Sequence, residues 1–140
     1  MYVNSGSMWA RKRAVSVMML VMLSLPGAAM AEQLIDTFRG SRSTSTLEFE
    51  VRAPWILDWR VSGDGNRVAA VDVALFNAAN GQHEGSVLKT KYPGNGVRMF
   101  DQSGRFYFRV DSALMEWTLK VIQLTPEEAE LYTPKNNDLF

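Results

Sequence analysis

From residue 47 onward apolar and polar side chains alternate in twos, and no stretch before residue 125 carries the 3.6-residue period of a helix. In residues 47–52, Leu47, Phe49 and Val51 fall on one side and Glu48, Glu50 and Arg52 on the other. After Pro54 the same rhythm sets Trp55, Leu57, Trp59 and Val61 against Ile56, Asp58, Arg60 and Ser62. Val71, Val73 and Leu75 share a face, as do Phe106, Phe108 and Val110, with Arg105, Tyr107, Arg109 and Asp111 opposite. Trp117, Leu119 and Val121 form the inward set of a last strand. Shorter or less regular strands are predicted over residues 34–39, 86–91 and 97–100, and the polar run 41–46 reads as an edge strand or loop leading into Leu47.

Turn residues fall between these runs. Gly63-Asp64-Gly65-Asn66, Asn80-Gly81, Pro93-Gly94-Asn95-Gly96 and Ser103-Gly104 each separate two candidate strands. Seven or eight short strands with no intervening helix predict an all-β fold: an antiparallel two-sheet β-sandwich, jelly-roll-like, with a short C-terminal helix. The helix signal is a capping box, with Thr125 at the N-cap, Pro126 at the first helical position and Glu128 three after the cap. Two turns through Tyr132 follow, ended by Thr133-Pro134.

The two tryptophans of the second strand admit two uses, a stacking platform for a ligand or the inside of the domain. They share their face with Leu57 and Val61, while the charges Asp58 and Arg60 are on the other. An entirely apolar face favours the interior.

The N-terminus changes the picture of where this domain works. Arg11, Lys12 and Arg13 precede an uncharged apolar run over residues 14–25, then Pro26-Gly27 and the small-x-small triplet Ala29-Met30-Ala31. This is the layout of a cleaved signal peptide over residues 1–31, with a start at Met1 or Met8. The run is shorter than the roughly 17–25 residues of a spanning helix, so no stable membrane span is expected after cleavage. The expected location is the periplasm or the medium. The sandwich then occupies residues 32–124, and the helix and tail residues 125–140. Three of the 15 basic residues leave with the signal and none of the 15 acidic ones, giving net charge −3, so nucleic acid is not an expected partner. Without cysteine there is no disulfide, and core burial has to stabilise an exported domain of ordinary size.

Catalytic chemistry finds little to work with. His83 is the one histidine, set in a glycine-flanked loop sequence, which argues against a catalytic triad or a zinc site. Glu48, Glu50, Asp58 and Asp72 stand at alternating strand positions, as carboxylates of a solvated sheet face do. Asp64-Gly65-Asn66 lacks the alternating oxygen ligands of a calcium loop. The terminal Leu139-Phe140 follows Pro134 and polar residues that interrupt a barrel strand. No catalytic, cofactor or metal residues are therefore predicted.

Two features suggest binding. Arg105, Tyr107 and Arg109 project from one strand face, with Arg98 on a candidate neighbouring strand, and tyrosine with arginine is the mixture enriched at interface hot spots. Ala113-Leu114-Met115 is an apolar tip that either plugs the end of the sandwich or meets a partner.

The stretches V-D-V-A-L-F-N (residues 71–77), S-G-R-F-Y-F-R-V (residues 103–110) and W-T-L-K-V (residues 117–121) resemble the central, glycine-aromatic and closing strands of small exported bacterial β-sandwich modules of the pre-peptidase C-terminal (PPC-like) type. The acidic D-x-D-L-Y pattern of that central strand is reduced here to Asp72. The resemblance implies an accessory or binding role without catalytic residues. The leading expectation is an exported, non-enzymatic binding or accessory protein of the bacterial envelope or exterior, its partner an envelope or extracellular protein or glycan. The alternatives are a carbohydrate-binding module, in which Trp55 or Trp59 is exposed, and an inhibitor or modulator of an envelope hydrolase.

Overall fold

A computed structural model describes residues 32–64 and 68–133. The signal segment, Gly65 and Asn66 of one predicted turn, Pro134, and Leu139-Phe140 lie outside the described residues. The chain runs β1 (Gln33–Gly40), β2 (Thr44–Ser45), β3 (Phe49–Val51), β4 (Trp55–Ser62), β5 (Ala70–Asn77), β6 (His83–Thr90), β7 (Gly94–Phe100), β8 (Gly104–Ala113), β9 (Glu116–Gln123) and α1 (Pro126–Tyr132). Sheet A has the antiparallel order β1-β9-β4-β7, and sheet B the order β2-β8-β5-β6 with β3 also on β8. If β2 and β3 are counted as one interrupted edge strand, the two orders become 1-8-3-6 and 2-7-4-5, the arrangement of a jelly roll.

The sheets stack on the alternating apolar faces. Trp55, Leu57, Val61, Trp117, Leu119 and Val121 of sheet A meet Val71, Val73, Leu75, Phe106, Phe108 and Val110 of sheet B, all buried. Burial of this kind contributes about 1.5–3 kcal/mol per large apolar side chain. Trp55 is fully buried, its ring stacked on Phe100 at 4.2 Å and edge-on to Phe49 at 5.6 Å. Its indole N–H donates to the Gln102 carbonyl at 2.8 Å, so the polar end of a buried ring is satisfied.

Trp59 is half-buried rather than enclosed. It pairs in register with Gly96, and a Cβ added at Gly96 would lie 2.7 Å from the indole, so the ring rests on bare backbone. This explains a difference from the sequence reading. Gly94-Asn95-Gly96 was expected to turn, but it forms the first half of edge strand β7, where glycine leaves room for the tryptophan opposite. Trp117 lies over Gly40 in the same manner.

Leu47 departs from its predicted inward place and is 78 % exposed. Ser45 pairs with Arg109 and Phe49 with Phe106, so four steps along the edge strand match three along β8. The extra residue breaks the alternation and turns Leu47 out. Thr46 secures the gap, its N–H donating to the Phe108 carbonyl and its hydroxyl accepting from the Phe108 N–H. Similar shifts interrupt β6 between its Val73/Ala74 and Leu75/Phe76 partners, which is why adjacent Val87 and Leu88 are both buried.

The predicted capping box is formed. Thr125 accepts from the Glu128 N–H at 3.2 Å, and the Glu128 carboxylate accepts from the Thr125 N–H at 2.8 Å. At the end of the helix Tyr132 donates to Glu32 at 2.6 Å and feels the charge of Asp58, an outward residue of β4. Ile56, on the face opposite Trp55 and Leu57, is nevertheless only 1 % exposed. None of the described helices is long and apolar enough to cross a membrane.

Candidate functional site

Antiparallel register fixes which side chains meet on the outer face of sheet B. Counting from one end, the cross-strand rows are Glu50–Arg105, then Tyr107–Phe76–His83, then Ser45–Arg109–Ala74–Ser86, then Asp111–Asp72–Lys89, and last Ala113–Ala70. Eight steps along β8 lead from Arg105 to Ala113, so the five rows extend over about 26 Å.

The aromatic row comes nearest to a hot spot. Tyr107 stacks on Phe76 with centroids 5.4 Å apart and planes 13° from parallel, and His83 meets Phe76 edge-on at 5.2 Å. Exposed Arg105 and Arg109 flank it. Arg105 donates to and pairs with Glu48, and that hydrogen bond raises the guanidinium pKa further above its ordinary value. His83, read from the sequence as a loop residue, is the first residue of β6 and remains exposed.

The far end of the face is a hollow of about 580 Å³ that the sequence reading did not find. Ala70, Ala113 and Ser112 contribute to its floor, and Tyr92, 74 % exposed, stands at its side. Asp72 lies opposite Asp111 in register, and Lys89 pairs with Asp72 at 4.0 Å. Two carboxylates facing each other on a sheet repel, so this row stabilises the fold less than a neutral one would. Each of these residues is unremarkable in sequence. Only the adjacency of β5 to both β6 and β8 gathers them.

Arg98 does not join this face. It is on β7 of sheet A, opposite Leu57, and its guanidinium reaches across the open side of the sandwich. There it donates to the β6 carbonyls of Ser86 at 2.7 Å and Val87 at 3.2 Å, with Phe100 beneath it at 5.5 Å. Its reach ties an edge of sheet A to an edge of sheet B. The apolar tip also divides: Met115 is buried and closes the end of the core, while Leu114 is 62 % exposed with φ 56°.

Most of the tryptophan surface is withdrawn from solvent. Trp55 and Trp117 are buried and Trp59 lies against Gly96, so stacking on this surface falls to Tyr92, Tyr107 and Phe76. Among the described residues no three His, Cys, Asp or Glu side chains gather as a metal site, and no polar or charged side chain is buried. The two perturbed groups, Arg105 and Tyr132, are both pushed away from neutrality, with Tyr132 raised to about 12 by its hydrogen bond to Glu32. The arrangement offers hydrogen bonds, charge and ring faces. The chain matches no protein-family model and no curated protein.

Proposed function

We propose that this is an exported, non-enzymatic binding or accessory protein of the bacterial envelope or exterior, which engages its partner through the outer face of sheet B. The observation that carries the reading is the aromatic row on that face, flanked by arginines. Tyr107 stacks on Phe76 there, and Arg105 and Arg109 stand on the rows to either side. Aromatic rings beside arginine combine apolar area with directed donors, which suits a partner surface of mixed character. The signal-like residues 1–31 support export, and the PPC-like strand sequences fit an accessory role, an analogy of fold rather than of site.

The test is affinity capture from an envelope extract, comparing the protein with its Tyr107→Ala/Arg109→Ala variant. Partners retained by the parent and lost by the variant support the reading. An identical set of captured proteins overturns it.

Recognition of a sugar is a second reading, and the Tyr92 hollow favours it. An exposed ring beside Asp72, Asp111 and Lys89 combines a stacking surface with the acceptors and donors that hydroxyl groups require. Titration with neutral oligosaccharides, followed by the amide signals of Ala70, Tyr92 and Ala113, decides it. Silence at all three positions rejects the sugar.

A further inference from the structure

The other sheet carries a second polar feature, remote from the face just described. On the outer side of sheet A, Arg39 of β1, Thr118 of β9 and Arg60 of β4 lie directly opposite one another across three neighbouring strands. Lys120 is the next outward residue of β9, opposite Asp58. These five side chains line a hollow of about 300 Å³. Arg39, Thr118 and Arg60 also line an adjoining hollow of about 330 Å³ that continues past Ser41 and Ser62 towards Glu116.

The ion pairs of the described residues are Lys89–Asp72 and Arg105–Glu48, and Arg98 is engaged by carbonyls. Arg39, Arg60 and Lys120 have no such partner among the described residues, although they converge on one concavity. Three cations against the single carboxylate of Asp58 leave the first hollow with net charge +2, on a domain whose overall balance is acidic. Adjacent strands are about 4.8 Å apart, so the two arginine stems rise about 10 Å from each other with the Thr118 hydroxyl between them. Two guanidinium forks at that separation converge on a planar or tetrahedral oxyanion placed over the hydroxyl, and the ammonium of Lys120 adds a third charge from the next row.

We infer that this outer hollow of sheet A binds an oxyanion, the carboxylate or phosphate group of a ligand that extends along the Ser41–Ser62 side. The adjoining hollow supplies hydroxyl groups where an isolated ion has nothing to reach. An anionic group carried on a longer molecule therefore binds more tightly than the free ion. Asp58 works against the site, and its removal strengthens binding. The inference does not depend on the sheet B reading, because no residue is shared.

The experiment is a nuclear magnetic resonance titration of isotope-labelled protein, purified after expression of the full chain. Its probes are trigalacturonate, inorganic phosphate and, as the neutral control, chitotriose. Trigalacturonate is expected to shift the amides of Arg39, Arg60, Thr118 and Lys120, with affinity falling as salt is added. Arg60→Gln and Lys120→Gln each weaken it about tenfold, the scale of one lost charge-assisted hydrogen bond, and Asp58→Asn tightens it. Tyr107→Ala leaves it unchanged. Arg60 is exposed, so its substitution leaves the core intact, and Arg39→Gln provides an independent loss of charge. Shifts with phosphate but not trigalacturonate support the oxyanion site but overturn its extension along the Ser41–Ser62 side. No shift with either anion, equal binding of chitotriose, or binding that survives Arg60→Gln and Lys120→Gln overturns the inference.

Discussion

Gly40→Ala tests whether the tryptophan-over-glycine contacts hold the sheets in place. The added Cβ falls 2.5 Å from the Trp117 ring, against 3.4–4 Å for ordinary contact, so the indole must retreat by about 1 Å. It has little room. Trp117 is 3 % exposed, and its N–H donates to the Arg42 carbonyl at 3.2 Å, so tilting the ring opens the core and stretches that bond. Overpacking costs about 1–3 kcal/mol, and a weakened hydrogen bond about 1 kcal/mol more. Against this, alanine restricts the unfolded chain and returns about 0.4–1 kcal/mol. The net loss is about 1–3 kcal/mol, which for a domain of this size lowers Tm by about 5–20 °C. Urea unfolding followed by tryptophan emission measures it, with an unchanged slope expected for a change in stability alone. The control is Gly94→Ala, where the new Cβ has nothing within 4 Å, and its expected effect is between zero and a gain of about 1 kcal/mol. Equal stability of Gly40→Ala and Gly94→Ala refutes the reasoning.

Three further outcomes follow from particular contacts. Arg98→Gln should cost about 1 kcal/mol by freeing the Ser86 and Val87 carbonyls, yet leave partner capture intact, and loss of capture without loss of stability would return Arg98 to the binding face. Asp111→Asn should raise stability by about 0.2–1 kcal/mol in thermal unfolding by relieving its repulsion of Asp72, and a loss of stability would contradict the register argument. Tyr132 keeps its proton in folded and unfolded chains below pH 10, so its link to Glu32 contributes fully there. That contribution is lost as pH rises from 10 to about 12, because the unfolded chain ionises first, and nuclear magnetic resonance titration of Tyr132 near 10 would show the link to be absent.

Regular alternation was legible and irregular alternation was not. Strands β4, β5, β8 and β9 carry unbroken period-two patterns, and their inward residues are the core, apart from half-buried Trp59. The capping box at Thr125 is equally local and was equally readable. In β6 two register shifts place Val87 and Leu88 inward together, which blurs the pattern from which a strand is read. The bulge before Phe49 cannot be seen in L-E-F-E-V-R, because it exists only relative to β8. In β7 Gly96, part of an apparent turn signal, answers instead to Trp59, a residue 37 positions earlier.

The candidate sites repeat this division on the surface. Arg105, Tyr107 and Arg109 come from one strand, so their common face follows from alternation alone. Asp72, Lys89, Asp111 and Tyr92 come together because β5 lies between β6 and β8, and Arg39, Arg60 and Lys120 because β9 lies between β1 and β4. β5 and β6 succeed each other in the chain, but β8 beside β5, and β9 between β1 and β4, follow from jelly-roll order. A charged residue on a solvated face carries no sign of whether its neighbour across the ladder will neutralise it. Lys89 acquires Asp72 and Arg98 acquires two carbonyls, whereas Arg60 faces Thr118 in register with Arg39 beyond. Which donors on these faces are answered is therefore settled by strand order before any loop takes part.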